Sequence, residues 1–305
     1  MLGYRASREV RLVVPVGRSV IIAGEGEPRI SGGRSYMCDP ASLKPLEEVR
    51  DSAGRSKNVV LVGPTDSGKS TLASYLYNSG LTAALASFDV GQNELYCPGF
   101  SATASPPRPF VPGSPAGEAL GCLVGDFTPR GLEASYLYCA SRLLRARGPL
   151  VVDTDGWVEG EGLVLKAAMA SFIDAVVVAI GLEGRRRELL SYVGDVLFVP
   201  RLAPRSKSRS ERATNRDRLM ASCLSGARRR VLPADVALGP TQEGRLEGLL
   251  SSVLGGGQEH FAVVERASER TGTVTVLTRY DGDVDGLRLG RARIDLRSFS
   301  GLVPS

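Results

Sequence analysis

The sequence predicts an α/β fold in which a parallel β-sheet is covered by helices and flanked by small N- and C-terminal β domains. Apolar, strand-like runs alternate with helical stretches between residues 58 and 200, which favours a parallel sheet covered on both faces. A glycine-rich turn joins the first of these strands to the first helix. Short strands without helices occupy residues 8–34 and the region after about residue 255. We therefore expect an N-terminal β domain at 1–55, a central domain at 56–255 and a C-terminal β domain at 256–305.

The N-terminal region has the pattern of short strands separated by turns. The runs EVRLVVPV, GRSVIIAG and EPRISGG show alternation and are punctuated by glycine, which predicts a small antiparallel unit. The stretch SLKPLEEVRDS predicts a short connecting helix. The opening residues MLGYRASREVRLVV lack an apolar run followed by a small-residue cleavage site, so we expect no secretory signal.

The central and C-terminal elements follow from the same patterns. Strands are predicted in NVVLVG, LTAALASFDVG, GEALGCLVGDF, PLVVDTDG, DAVVVAI and DVLFVP, and helices in SGKSTLASYLYNSG, GLEASYLYCASRLLRARG and GEGLVLKAAMASFI. The segment 101–117 is rich in proline and serine, which predicts a loop. The C-terminal strands are expected in HFAVVERA, GTVTVLTRY and GLRLGRARIDL.

Composition excludes some classes of protein. No run of about eighteen apolar residues occurs, so we expect no membrane span. The five cysteines, at 38, 97, 122, 139 and 223, form no C-x-x-C pair, which predicts neither a zinc site nor a disulfide framework and favours a reduced, cytoplasmic protein. Because His260 is the single histidine, a general base is expected to be a carboxylate.

The chemistry-bearing motif lies at 63–70, where GPTDSGKS matches G-x-x-x-x-G-K-[ST], the phosphate loop of P-loop proteins. Gly63 and Gly68 permit a tight turn that directs backbone N–H groups inward. Lys69 reaches the β- and γ-phosphates, Ser70 offers a hydroxyl to Mg²⁺, and the following helix points its positive end at the phosphates. The context of an apolar strand before and a helix after predicts a P-loop NTPase sheet. The expected nucleotide-binding residues are Gly63, Pro64, Thr65, Asp66, Ser67, Gly68, Lys69, Ser70 and Thr71.

Two carboxylates end predicted strands. Asp89 closes LTAALASFD and Asp153 closes PLVVD, so both are expected at the carboxyl edge of a parallel sheet, where ligands bind. A P-loop enzyme needs carboxylates near Mg²⁺ and the attacking oxygen. Alternatively, Asp89 caps the turn that follows its strand, and Asp153 is a helix cap or a turn residue.

An arginine-rich segment and the lone tryptophan complete the candidate features. The net charge is +5, which suits a polyanionic partner, and arginines crowd into 201–218 and 227–230. The segment 201–218 is either a lid that neutralises charge on a transferring phosphoryl group or a solvated basic helix. Trp157 lies in a Gly-rich turn at the expected ligand edge and either stacks on a nucleic-acid base or belongs to the core.

Together these motifs resemble the RNA polynucleotide 5′-hydroxyl kinases, the family of the kinase subunit of the mRNA 3′-end cleavage factor and of the ribosomal-RNA-processing polynucleotide kinases, in a compact, archaeal-like form. GPTDSGKST resembles the family's P-loop, and FDVGQNE its Asp-x-x-Gln segment. GDFTPRG resembles its Thr/Ser-Pro motif, DTDGWVEGEG its Gly-Trp segment and PRSKSRSER its lid. The five motifs occur in the family's order over about 150 residues.

On the phosphate side, the resemblance implies ATP and Mg²⁺ as cofactors. Lys69 would be catalytic, and Asp89 would act as general base or as a carboxylate linked to Mg²⁺. Ser70, Gln92 and Thr128 would hold the metal and its waters. Arg205 and either Arg209 or Arg212 would contact the transferring phosphoryl group, and Glu9 would lie near the adenine.

On the acceptor side, the resemblance implies that Trp157 stacks on the terminal base, with Gln92 and Thr154 also facing the RNA. The expected partner is a 5′-hydroxyl end of RNA, with DNA ends as an alternative and RNA-processing proteins as further partners. Two other functions stay open, an ATP-binding scaffold without turnover and a nucleotide-hydrolysing switch. The guanine-recognition motif N/T-K-x-D is absent from the sequence.

Overall fold

The computed structural model describes residues 3–5, 21–23, 44–54, 58–114, 116–145, 148–202, 206–238, 246–298 and 301–302. The strands within these residues are β1 (Gly3–Arg5), β2 (Ile21–Ala23), β3 (Asn58–Val62), β4 (Ala84–Phe88), β5 (Phe100–Ala104), β6 (Ala119–Leu123), β7 (Leu150–Thr154), β8 (Ala175–Ile180), β9 (Val196–Val199), β10 (Arg228–Pro233), β11 (Ala237–Leu238), β12 (Leu249–Gly255), β13 (Gln258–Ser268), β14 (Thr273–Thr278), β15 (Gly286–Ile294) and β16 (Gly301–Leu302). The helices are α1 (Lys44–Ala53), α2 (Lys69–Asn78), α3 (Glu133–Leu143), α4 (Glu161–Phe172), α5 (Arg186–Leu190) and α6 (Arg209–Leu224). No helix of this part of the chain combines the length and apolar character needed to span a bilayer.

The chain divides into two compact units. The first unit comprises Met1–Leu85, Ser105–Gly117 and Arg147–Pro204, and the second comprises Ala86–Ala104, Glu118–Ala146 and Arg205–Ser305. One of the points at which the chain passes from one unit to the other lies within β4. The three-domain division at 1–55, 56–255 and 256–305 stays a prediction.

The first unit contains a parallel sheet in the order β7-β3-β8-β9. Its strand β3 has a continuous run of apolar residues, and Val59 to Val62 are fully buried, as expected for a parallel strand with helices on both faces. The helices α2 and α4 contribute Leu76 and Met169 to the core, both fully buried. The α/β prediction is confirmed. The sheet brings the carboxyl ends of β3 and β7 together, with Leu61 opposite Asp153.

The N-terminal region is described at two short strands. β1 and β2 pair in parallel, with Tyr4 opposite Ile22. β2 lies within the predicted run GRSVIIAG, whereas β1 precedes the predicted runs. Residues 6–20 and 24–43 lie outside the described residues, so the antiparallel arrangement of the predicted runs stays a prediction.

The second unit is largely antiparallel. β13 pairs with β12, β14 and β6, and β12 also pairs with β15. The three C-terminal strands predicted from sequence are confirmed as β13, β14 and β15. β10 and β12 were not predicted; β10 pairs with β14, and β12 pairs with both β13 and β15.

The predicted loop at 101–117 is wrong over its first four residues. Phe100–Ala104 forms the buried strand β5, which pairs antiparallel with β6 through Ala102 and Gly121. The run Ser-Ala-Thr-Ala lacks large β-branched side chains, and the prolines that suggested a loop begin only at Pro106. All five residues of the strand are buried, and Phe100 at its start packs against the rings of Tyr96 and Phe261.

Two disulfides contradict the expectation of a reduced protein without a disulfide framework. Cys97 is bonded to Cys223, 126 residues away, and Cys122 is bonded to Cys139, 17 residues away. Both bonds lie within the second unit. The spacing of the cysteines in sequence does not reveal them, because each bond joins elements that only the folded chain brings together.

We expect reduction to destabilise the second unit. A disulfide restricts the unfolded chain, and removal of a native one costs about 2–5 kcal/mol, more for a longer loop. The Cys97→Ser/Cys223→Ser pair should therefore lower the free energy of unfolding more than Cys122→Ser/Cys139→Ser does. Urea unfolding of both variants, with and without reductant, measures this difference. Reaction of Cys97, Cys122, Cys139 and Cys223 with a thiol reagent in the unfolded, unreduced protein would refute the pairing.

Candidate nucleotide and acceptor site

The phosphate loop (residues 63–70) forms a tight turn between β3 and α2. A Cβ on Gly63 would lie 2.7 Å from both the Ile180 carbonyl oxygen and the Ser67 hydroxyl oxygen, so only glycine fits there. Asp66 and Gly68 have left-handed φ angles of 58° and 104°. Left-handed residues within a turn direct successive backbone N–H groups into a concave nest that binds anions.

Lys69 and the start of α2 make this turn electropositive. The Lys69 side chain is buried, and its Nζ donates hydrogen bonds to the carbonyl oxygens of Gly63 (2.8 Å) and Pro64 (2.9 Å). The N-cap of α2 is Gly68, which has no side chain to occupy the amides of the first turn. These amides and the helix dipole favour negative charge. The residues therefore fit the phosphates of a nucleotide.

The remaining residues of the loop have different environments. Ser70 is exposed on the first turn of α2, so its hydroxyl is accessible to a hydrated metal ion, whereas Ser67 is buried. Thr65 is exposed and Thr71 half-buried. An exposed hydroxyl directly after the lysine is the arrangement that Mg²⁺ coordination beside phosphates requires.

The Gly-Trp segment (residues 153–162) follows β7 and packs on the phosphate loop. A Cβ on Gly156 would lie 2.1 Å from Thr65 Oγ1, 2.6 Å from Thr65 N and 2.8 Å from Thr65 Cα. Only a glycine permits this approach. Thr65, which fills a variable position of the motif, is thus the point at which the two loops touch.

The residues at and after the end of β7 differ in how far they are buried. Asp153 is buried, and Trp157 is half-buried. Thr154 is fully buried, and its Oγ1 donates to the carbonyl oxygen of Leu61 at 2.7 Å. The Thr154 hydroxyl therefore contacts the neighbouring strand β3, and its role towards RNA stays a prediction.

The chain after β9 also contacts the phosphate loop. Arg201 donates from Nη2 to the Asp66 carbonyl oxygen at 3.0 Å, and the Leu202 amide donates to the Ser67 carbonyl oxygen at 3.0 Å. These bonds fix the start of the arginine-rich segment on the loop. Sequence reasoning missed Arg201, whose position directly after a predicted strand is the signal that identifies it.

In the second unit, Asp89 begins a tight turn. Its Oδ1 accepts hydrogen bonds from the amides of Gly91 (3.2 Å) and Gln92 (3.1 Å), so the capping alternative is correct for this oxygen. The turn holds the carboxylate half-buried at the end of β4. A carboxylate fixed by two backbone amides keeps one orientation, which suits either a metal contact or proton transfer.

Gln92 connects this turn to α6. Its Nε2 donates to the Arg212 carbonyl oxygen at 2.9 Å, and its Oε1 accepts from Asn215 Nδ2 at 2.6 Å. The side chain expected near the metal thus holds the helix that carries the arginines. Sequence reasoning missed Asn215, since no motif includes it.

Thr128 lies in the neighbouring loop of the same unit. A Cβ on Gly91 would be 2.9 Å from the Phe127 carbonyl oxygen, so the Asp89 turn and the 127–128 segment are in contact. The Arg216 guanidinium lies 4.6 Å from the centre of the Phe127 ring. The structure therefore brings Asp89, Gln92 and the segment of Thr128 to one place.

The lid arginines are only partly described. Arg205 and Glu9 lie outside the described residues. Arg209 is the exposed first residue of α6, which begins after a capping box formed by Ser208 and Glu211. Arg212 donates from Nη1 to the Lys207 carbonyl oxygen at 2.7 Å. The choice between Arg209 and Arg212 as a phosphate contact stays open.

Comparison with known proteins identifies similar chains. The Protein CLP1 homolog of Arabidopsis thaliana is 33% identical over 165 residues, which are 48% of this chain and 36% of that protein. A protein of Thermococcus kodakarensis named polyribonucleotide 5′-hydroxyl-kinase is 30% identical over 146 residues, 45% of this chain and 41% of its own. The Xenopus tropicalis polyribonucleotide 5′-hydroxyl-kinase Clp1 is 28% identical over 218 residues, 62% and 49% of the two chains. Each aligned segment spans less than half of the relative's length.

A solved structure supports the fold. Wild-type Clp1p, solved in complex with Pcf11p (454–563), superposes with a TM-score of 0.63 at 14% identity, covering 81% of this chain and 77% of that one. Residues 63–225 match the family model described as the mRNA cleavage and polyadenylation factor CLP1 P-loop, and this span is more than half of the 305 residues. The predicted resemblance is confirmed, and the chain belongs to the CLP1 P-loop family.

Proposed function

We propose that this protein transfers the γ-phosphate of ATP to the 5′-hydroxyl end of RNA. The observation that carries the proposal is the packing of Gly156 on Thr65, with a would-be Cβ only 2.1 Å from Thr65 Oγ1. It places the loop of the lone tryptophan directly against the phosphate loop. A phosphate-binding turn and an aromatic platform for a base are the two features that a nucleic-acid end kinase needs side by side.

The phosphate loop supplies charge stabilisation. Phosphoryl transfer depends on positioning and on neutralising the charge of the transferring group. Lys69 and the amides at the start of α2 act on the β- and γ-phosphates, and Arg201 fixes the loop through the Asp66 carbonyl. Mg²⁺, when bound, neutralises phosphate charge, and Ser70 is the loop residue whose hydroxyl would hold it.

The acceptor hydroxyl requires a carboxylate. We assign to Asp89 the role of general base or of a carboxylate that acts through the metal, with Gln92 and Thr128 as further metal-side residues. Arg205 and one of Arg209 and Arg212 are assigned to the transferring phosphoryl group. These roles rest on family membership together with the fixed Asp89 turn.

The cellular context follows from the substrates. We propose a cytoplasmic location, because ATP and RNA are both available there. Disulfides are compatible with that compartment in hyperthermophiles, whose intracellular proteins are disulfide-rich. An RNA-processing protein is the proposed partner, since the structural neighbour was solved with Pcf11p. The scaffold without turnover remains the alternative function.

Transfer of label from γ-labelled ATP tests the proposal. We expect label on an RNA oligonucleotide with a 5′-hydroxyl and none on the same RNA carrying a 5′-phosphate, which is the matched control. A DNA oligonucleotide of the same sequence measures the preference between RNA and DNA. ATP binding with no labelled oligonucleotide would refute the kinase and support the scaffold. Release of labelled phosphate to water alone would support a hydrolysing switch.

A further inference from the structure

Lys166 is a buried cation next to the proposed acceptor platform. It lies on α4, its side chain is 0% exposed, and the side chain of its partner Asp155 is 9% exposed. Lysine is almost never fully buried unless it is paired. A buried ion pair is commonly no more stable than apolar residues of similar volume, so its presence here calls for a role other than stability.

The pair holds both backbone groups of Trp157. Lys166 Nζ donates to the two carboxylate oxygens of Asp155 at 2.8 Å each and to the carbonyl oxygen of Trp157 at 2.9 Å. Asp155 Oδ1 in turn accepts from the amide of Trp157 at 2.6 Å. The peptide groups on both sides of the tryptophan are therefore fixed by one charged pair.

The first turn of α4 restricts the indole itself. A Cβ on Gly162 would lie 2.4 Å from the Trp157 carbonyl oxygen and 2.7 Å from Cγ of its ring. The Lys166 Nζ lies 5.9 Å from the indole centroid, within the range of a cation–π contact. Asp155 and Lys166 thus fix the backbone of Trp157, and one side of its indole ring packs against Gly162.

We propose that Lys166 and Asp155 are positioning residues for the acceptor, fixing Trp157 so that its indole is pre-organised to stack on the terminal base. The inference rests on the proposed function, since it assigns the platform to the RNA end. Pre-organisation removes the cost of ordering a side chain on binding. Loss of the pair should therefore weaken binding of the RNA acceptor and leave binding of ATP unchanged.

The test uses variants that separate positioning from folding. Lys166→Met alone leaves a buried, uncompensated carboxylate and is expected to destabilise the fold. Asp155→Leu/Lys166→Met removes both charges and is expected to keep the wild-type melting temperature within a few degrees. Gly162→Ala displaces Trp157 and leaves both charged side chains present. Gly184→Ala is the matched control, because a Cβ there meets nothing within 4 Å.

We expect the variants to change the KM for RNA but not the KM for ATP. Because stacking on an aromatic side chain contributes substantially to binding of a base, KM for 5′-hydroxyl RNA should rise roughly tenfold in the double variant and in Gly162→Ala, with KM for ATP unchanged. Gly184→Ala should match the wild type. An unchanged KM for RNA in a folded double variant would overturn the inference while leaving the kinase intact.

Trp157 provides a second readout that does not depend on turnover. It is the only tryptophan, so intrinsic fluorescence reports on this side chain alone. We expect 5′-hydroxyl RNA, added without ATP, to quench the emission of the wild type and to quench the double variant only at about tenfold higher concentration. Equal quenching curves would overturn the positioning role, whereas a wild type that is quenched but transfers no phosphate would refute the proposed kinase alone.

Discussion

Replacing Lys69 with methionine is expected to slow phosphoryl transfer by about two to three orders of magnitude. The substitution removes the charge at the centre of the phosphate loop, and loss of one preorganised donor costs about 10²–10³-fold in kcat. It also removes the hydrogen bonds from Nζ to the carbonyl oxygens of Gly63 and Pro64, at 2.8 and 2.9 Å. Those carbonyls would then be left without the ammonium group, so the loop should also bind nucleotide more weakly.

Steady-state kinetics and direct ATP binding measure the two effects. Lys69→Arg is the charge-preserving comparison, and we expect it to be nearly as inactive. The guanidinium is larger than the ammonium, and the site is buried, so it cannot make both loop contacts and still reach the phosphates. Circular dichroism checks that both variants are folded. A folded Lys69→Met protein with wild-type transfer would show that the phosphate loop is not the catalytic site.

The nucleotide side was predictable because its signal is local. Eight consecutive residues define the phosphate loop, and an apolar strand followed by a helix is enough to orient it. Asp89 was predicted as a candidate from an equally local signal, its position at the end of the strand LTAALASFD.

The features that the sequence did not predict depend on contacts between residues distant in sequence. Asn215 binds Gln92 across 123 residues, and Cys97 pairs with Cys223 across 126, so neither is visible in a window of sequence. The burial of Thr154 was not predicted, because one residue along a strand reverses the face of the sheet. The strand β5 was missed because its side chains are small and its burial comes from neighbours that lie elsewhere in the chain.

Gly156→Ala is expected to weaken the binding of both ATP and RNA and to lower the rate of transfer. The added methyl would lie 2.1 Å from Thr65 Oγ1 and 2.6 Å from Thr65 N, so either the phosphate loop or the Gly-Trp segment must move. A displacement of about 1 Å in an active site costs roughly 10²-fold in rate. We therefore expect kcat/KM to fall about a hundredfold, with higher KM for both ATP and RNA. Gly184→Ala, measured in parallel, should leave all three parameters unchanged.

The double variant Gly156→Ala/Thr65→Ala identifies which atoms of Thr65, the side-chain hydroxyl or the main chain, clash with the added methyl. Truncating Thr65 removes the hydroxyl contact at 2.1 Å, but its backbone N and Cα remain 2.6 and 2.8 Å from the new methyl. Rescue should therefore be small, because main-chain atoms of a packed loop cannot yield as a flexible side chain does. Full rescue would mean that the two loops meet only through the threonine hydroxyl. A raised KM for RNA with an unchanged KM for ATP would mean that the Gly-Trp segment moves and the phosphate loop stays, which would refute their coupling.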